Sequence, residues 1–278
     1  MLAEVSEAEA TGRTADIYAA IRASCGVGMV SLCYRHLAVD LSQLEWAWRI
    51  LGPEYVSGAC AQMAETLTGR TVIDHLVAAL DRAALPPDLG ANANAHVIAV
   101  LDAFNRANPM NYLFVSVLVR LLEAKTAQGS GDAGSQVGDP PPVEGLPQLP
   151  PILSLDDMPA QVRAQVIELA DLGAGKHDRI VPSVYRHVAH WPAYIAYIHD
   201  LLMRPEMVAL VDETASRFRD GAQDAVDRLI ARCAPRDRQD GRPQGQARRE
   251  LLVNLPSFQP RIPMMVAVGN LLRMKHGV

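Results

Sequence analysis

The sequence is short of cysteine. Only Cys25, Cys33, Cys60 and Cys233 occur in 278 residues, and no two of them stand as Cys-x-x-Cys. That spacing speaks against a zinc knuckle or a dithiol redox centre. Their apolar neighbours predict buried, reduced thiols. No uncharged apolar run approaches the roughly 20 residues needed to span a bilayer. The opening residues, MLAEVSEAEATG, are acidic and lack the basic-then-apolar pattern of a secretory leader. The expectations are a cytoplasmic protein and no membrane partner. Basic charge is also scarce: 26 Lys and Arg against 31 Asp and Glu give a net charge of −5, so nucleic acid is not the default partner. No alternating apolar/polar strand pattern stands out anywhere.

What is present is apolar and helical. Hydrophobic residues make up 49% and charged residues 21%, a balance that can bury a sizeable core. The richest run is VPSVYRHVAHWP, residues 181–192. It has an echo 151 residues earlier, Tyr34-Arg35-His36 against Tyr185-Arg186-His187. A second echo, 154 residues apart, pairs Phe104, Pro109 and Met110 with Phe258, Pro263 and Met264. Two echoes in the same order at nearly the same offset predict a duplicated unit.

Periodicity predicts helices in both copies. Ser6-Glu7-Ala8-Glu9 has the form of a capping box opening the first helix. Leu37, Leu41, Leu44, Trp48 and Leu51 share one face of a second, which Gly52-Pro53 is expected to end. Further helices are expected near 54–68, 71–84, 92–106 and 109–126, with Pro109 in a first turn. In the second copy they are expected near 157–172, 183–203, 205–219, 222–234, 247–254 and 262–275, with Pro192 kinking or restarting its helix. The run from Pro235 to Arg249 reads as a polar surface loop. GSGDAGSQVGDPPPVEGLPQLPP, residues 129–151, has the composition of a linker. The expected organisation is an N-terminal helical repeat over 1–127, a linker over 128–152 and a C-terminal repeat over 153–278.

Several clusters have chemical potential and a plainer alternative. His187 and His190 lie three apart on one face, with His177 and Asp178 nearby as further metal ligands; as packing or hydrogen-bonding residues they need no metal. Tyr34 and Tyr185, with Arg35 and Arg186, suit either a carboxylate-binding cleft or a Tyr–Arg interface between the copies. Asn105, Asn108 and Asn111 surround Pro109 and suit either capping or holding a water. Gly173-Ala174-Gly175-Lys176 lacks the full spacing of a phosphate loop and follows a helix, so it is set aside.

Ala47-Trp48-Arg49, Ala103-Phe104-Asn105 with Asn108-Pro109, Ala170-Asp171-Leu172, and Ala189 with Trp191-Pro192 occur in an order that resembles the group I α-haloacid dehalogenases. The resemblance covers nearly the whole chain. It implies an all-α pseudo-dimer of two helical repeats, of the alkyl hydroperoxidase D-like class, with the site between them. It implies a hydrolase in which an Asp-activated water displaces halide from the 2-carbon of a small organic acid. No metal or organic cofactor is implied, and a homodimer is left open.

Carried over residue by residue, the resemblance places the family's catalytic Asp at Val184, preceded by a matching Ser183. Asn108 matches the Asn that helps hold the water. A pocket Trp falls at Met29, a pocket Phe at Leu32, and a Tyr near Asn108 becomes Asn111. Substrate contact is expected from Met29, Leu32, Tyr34, Asn108, Asn111, Ser183, Val184 and Tyr185. Valine cannot accept a proton, so the base is missing at position 184. The stretch from Leu172 to Trp191 is longer than the family pattern, which makes Asp178 the candidate for a displaced base, beside Asn108. Three functions are compatible with these residues: a working dehalogenase, a divergent enzyme on another substrate, and a non-catalytic binding protein.

Overall fold

A computed structural model describes residues 2–79, 86–124, 145–172, 181–237, 239 and 241–277. The first part of the chain forms α1 (Gly12–Cys25), α2 (Leu32–Leu37), α3 (Leu41–Val56), α4 (Ala59–Thr68), α5 (Asp74–Ala79) and α6 (Ala91–Glu123). The second forms α7 (Ala160–Asp171), α8 (Ser183–Val188), α9 (Pro192–Leu202), α10 (Pro205–Gly221), α11 (Gln223–Cys233), α12 (Gly245–Asn254) and α13 (Phe258–Lys275). A π turn, Gly69–Ile73, joins α4 to α5. The fold is all-α, with no strand among the described residues, as the periodicity predicts. No described helix is long and apolar enough to cross a membrane.

α6 and α13 lie against each other at the centre, with α4 and α11 on α6 and α10 on α13. One cluster of buried apolar side chains runs from Ile17 to Leu272. Every residue of α6 from Ala107 to Val119 is buried, the pattern of a helix enclosed on all sides. The two central helices meet closely. A Cβ on Gly269 would meet the Asn105 side chain, whose Nδ2 donates to the Gly269 carbonyl (3.2 Å), so a larger residue there would displace that contact.

The prolines punctuate less than expected. Pro109 lies inside one 33-residue helix rather than opening a second, and Pro263 lies inside α13. Gly52-Pro53 does not end α3, which continues to Val56. A Cβ on Gly52 would lie 2.9 Å from Trp48 Cε2, so this glycine makes room for an indole. The last turn of α3 is anchored from outside: Tyr55 Oη donates to the Met110 carbonyl (3.0 Å), and Glu54 pairs with Arg232 (2.6 Å) and Arg236 (2.8 Å). Tertiary anchoring outweighs local helix-breaking tendency at these positions. Pro192 behaves as expected and restarts the chain as α9. Ser6 and Glu9 do close on each other, the Glu9 carboxylate accepting from the Ser6 N–H (3.1 Å) and hydroxyl (2.6 Å). They stabilise an isolated turn, however, and the helix starts only at Gly12.

The expected surface loop at 235–249 is instead partly buried. Asp237 is fully enclosed and Arg242 is 5% exposed. Arg242 pairs with Asp237 (2.9 Å) and donates to the carbonyls of Leu121 and Ala124. Arg248 Nε donates to the Leu122 carbonyl (2.9 Å), and Arg236 Nε to that of Ile50 (2.8 Å). The last carbonyls of a helix have no partner within it, and they attract cations. The polar residues of this loop therefore cap α6 and tie it to the second part of the chain.

Candidate functional site

Each echoed Tyr-Arg-His sits on a short helix beside an extended strap of chain. At α2, the Val5 N–H donates to the Arg35 carbonyl (3.0 Å), and His36 Nδ1 donates to the Ala3 carbonyl (2.8 Å). At α8, the Leu153 N–H donates to the Arg186 carbonyl (3.4 Å), and His187 Nδ1 donates to the Pro150 carbonyl (2.7 Å). His190 Nε2 donates to the Pro151 carbonyl (2.8 Å). Both His that sequence offered to a metal thus spend a ring nitrogen on a strap, and His177 lies outside the described residues. Among the described residues, no group of three His, Cys, Asp or Glu is placed to hold a metal ion. The second strap also crosses the entry to α2. A Cβ on Gly28 would fall 2.5 Å from the Pro147 carbonyl oxygen, so only glycine permits that approach.

Between the starts of α2 and α8 and the facing sides of α6 and α13 lies a cavity of about 80 Å³. A single water needs about 10–15 Å³ on that measure, so there is room for a small molecule. Phe104, Asn108 and Asn111 reach the cavity from α6. Phe258, Arg261, Ile262 and Met265 reach it from α13. Both sets follow the three-and-four spacing of one helix face. Met29 and Leu32 line it from the first strap side, Ser183 and Val184 from the start of α8.

Six of the expected substrate residues therefore share one cavity: Met29, Leu32, Asn108, Asn111, Ser183 and Val184. Tyr34 and Tyr185 do not line it. Both are almost completely buried in the core behind it, at 1% and 0% exposure. Tyr34 Oη meets Tyr55 Oη at 2.8 Å, whereas Tyr185 Oη is buried with no hydrogen-bond partner among the described residues. Burial holds both phenols well above their ordinary pKa. Of the two echoed arginines, Arg35 lines the cavity and Arg186 does not. Asp178 lies outside the described residues.

The cavity has charge that sequence reasoning did not assign to it. Arg261 lines it and is only 6% exposed. Its signal was available: it follows Phe258, the echo of Phe104, by three residues, which puts it on the same helix face. Arg35 is also 6% exposed, its Nε paired with Glu4 (2.8 Å) and its Nη1 donating to the Val30 carbonyl (3.0 Å). Against these two cations, no Asp, Glu or His is among the described residues of the wall. Cys33 is there, but burial pushes its thiol up to about 12, which keeps it protonated and poorly nucleophilic. The wall can bind an anion, orient a water through amides and hydroxyls, and pack an apolar substituent. Among its described residues it offers no side chain that takes a proton near neutral pH.

No protein-family model matches the chain, and no curated protein matches its sequence. Solved structures do. A D-2-haloacid dehalogenase mutant superposes with a TM-score of 0.74 at 16% identity, covering 99% of this chain and 96% of that one. A D-2-haloacid dehalogenase mutant in complex with D-2-CPA gives a TM-score of 0.68 at 17% identity, with the same coverage. Identity at this level speaks to architecture and leaves the chemistry to the site itself. Over 99% of its length the chain resembles D-2-haloacid dehalogenases, and it has their all-helical fold.

Proposed function

We propose that the cavity binds a small organic acid. The carboxylate is held by Arg35 and Arg261, and the substituent packs on Met29, Leu32 and Val184. The observation that carries this is the pair of buried arginines on a wall without described carboxylates. Arg recognises carboxylates through parallel, charge-assisted hydrogen bonds that strengthen away from water. Asn108 supports it: its amide makes no hydrogen bond to another described residue, which leaves it available to a ligand or a water. The paired straps at α2 and α8 favour reading the two parts of the chain as copies of one unit, with this cavity between them.

Val184 occupies the place of the family's base, so hydrolytic release of halide does not run through it. The chain is accordingly a divergent relative that keeps the acid site and lacks that route. Hydrolytic dehalogenation through Asp178 is the second function, favoured by one observation: Asp178 precedes the wall residue Val181 by three positions. Calorimetry with propionate and halide release from both enantiomers of 2-chloropropionate separate the two. Acid binding without halide release supports the divergent site, and gain of activity in Val184→Asp would strengthen it. Halide release that Asp178→Asn abolishes supports the second function. A protein that binds no short carboxylate overturns both.

A further inference from the structure

The two straps are tied down in different ways. The first, residues 2–10, carries Glu4, Glu7 and Glu9. Glu4 pairs with Arg35 (2.8 Å) and Glu7 with Arg22 (2.6 Å). The other oxygen of Glu7 accepts the Val30 N–H (2.8 Å), and Tyr18 Oη donates to the Val5 carbonyl (2.9 Å). Bonds in which one partner is charged are roughly twice as strong as neutral ones. The second strap, residues 145–153, reads GLPQLPPIL and has no charged side chain. Pro147, Pro150 and Pro151 have no N–H to offer. At its far end the Arg186 guanidinium holds the Leu153 carbonyl (2.8 Å). Before that point two imidazoles hold it, His187 on the Pro150 carbonyl (2.7 Å) and His190 on the Pro151 carbonyl (2.8 Å).

The weakly held strap is the one beside the cavity. Its Ile152 lines the cavity, and its Pro147 carbonyl lies on Gly28, next to the wall residue Met29. Gln148, Leu149, Pro150 and Pro151 border an open groove of about 360 Å³, which His96, His190 and Trp191 complete. The strap thus borders the cavity and open space at once. The other described walls are fixed: α6 and α13 are the central helices, and Val30 is pinned through its N–H to Glu7 and through its carbonyl to Arg35. We infer that residues 147–152 are a gate to the cavity, which lifts off Gly28 about an anchor at Leu153 when His187 and His190 release their carbonyls, while the first strap stays in place. Proline-rich extended chain is stiff, so the strap moves as one piece. Such an opening is a local event, far cheaper than unfolding the core behind it. It sets how fast a small molecule enters and leaves, whatever the cavity binds.

Cys33 reports the gate without any ligand, so the test stands apart from acid binding. It lines the cavity and is 2% exposed, whereas Cys60 is fully buried and is not among the described wall residues. The full chain is treated with methyl methanethiosulfonate under native conditions, and the labelling rate of each cysteine is read by peptide mass analysis. With fast reclosing, that rate follows the open population. His190→Ala removes one bond of a half-exposed side chain and should speed labelling of Cys33 about three- to tenfold, the worth of one neutral hydrogen bond, with Cys60 unchanged. His190→Gln, whose amide can donate to the same carbonyl, should return the rate toward the wild type. Gly28→Ala, which pushes on the Pro147 carbonyl, should also speed labelling of Cys33. His36→Ala removes the corresponding bond of the first strap, to Ala3, and should not. An unchanged Cys33 rate in His190→Ala overturns the gate. So does an equal acceleration in His36→Ala, which removes the difference between the straps. Cys60 rising in step with Cys33 overturns it as well, because the opening is then general unfolding.

Discussion

α2 and α8 carry the same tripeptide and bury different parts of it. In α2 the arginine is enclosed and the histidine half-exposed; in α8 the histidine is 3% exposed and the arginine half-exposed. Both keep the bonds to the strap, a backbone N–H onto the arginine carbonyl and a histidine Nδ1 onto a strap carbonyl. They differ in where the arginine and histidine side chains go. Arg35 reaches the cavity, while Arg186 donates to the Leu153 carbonyl (2.8 Å). His187 stands edge-on to Phe104 with ring centres 5.5 Å apart. Echoed residues can thus keep one structural duty and divide the others, so that charge comes from one wall and packing from the opposite one.

The largest expected effect is on the α8 side. Burial lowers the pKa of His187 from 6.5 to about 4. The unfolded chain takes up that proton near pH 6.5 and the folded protein only near pH 4. Stability from this group is complete above pH 6.5 and falls as pH drops through the window, by up to about 3 kcal/mol. Urea unfolding at pH 7 and pH 5 measures the loss. His187→Asn can keep the Pro150 bond but cannot titrate, so its unfolding should depend less on pH. Equal slopes would show that His187 is not the responsible group.

Next comes the division of the arginines. Arg35→Met should weaken propionate binding by about 10- to 100-fold, the worth of hydrogen bonds to a charged group, and Arg186→Met should leave it unchanged. Similar losses in both would erase the contrast. The tyrosines should differ less. Tyr34→Phe removes a buried hydrogen bond to Tyr55 and should cost about 1 kcal/mol, whereas Tyr185→Phe removes an unpartnered hydroxyl and should be neutral or slightly stabilising. Denaturant midpoints decide this, and a costly Tyr185→Phe would point to a partner for that hydroxyl. The smallest effect is expected at Glu4. Glu4→Gln removes the charge that compensates Arg35 and should tighten carboxylate binding by a factor of about 2 to 5. Weaker binding would mean that Glu4 serves mainly to position Arg35.

Helical class and most helices were legible because apolar spacing repeats along the chain, and spacing is a local property. The behaviour of Pro53 and Pro109 was not. What carries the helix past them is Tyr55 reaching Met110, Arg232 and Arg236 reaching Glu54, and the enclosure of α6, all contacts between distant residues. The site divides in the same way. Ordered motifs pointed to Asn108, Ser183 and Val184, and the cavity contains them. Nothing local distinguishes Arg35 from Arg186, since Tyr, Arg and His flank one another identically in both. Tyr34 and Tyr185 carried the echo that drew attention to the region, yet their echo marks shared core packing. The arginines of 235–249 looked solvated because the carbonyls they meet belong to a helix end more than a hundred residues earlier.

Those arginines have an architectural consequence. Residues 242 and 248 close the end of α6 and residue 236 bonds the Ile50 carbonyl within α3, while Asp237 accepts from Trp46 Nε1 (3.4 Å). A chain reduced to residues 2–124 would leave the final carbonyls of its longest helix open. A chain reduced to residues 145–277 would lose the carbonyls and the Glu54 carboxylate around which its guanidinium groups are placed. Whatever the origin of the two parts, they have become complementary pieces. Each should be recovered in folded form only when the other is expressed beside it.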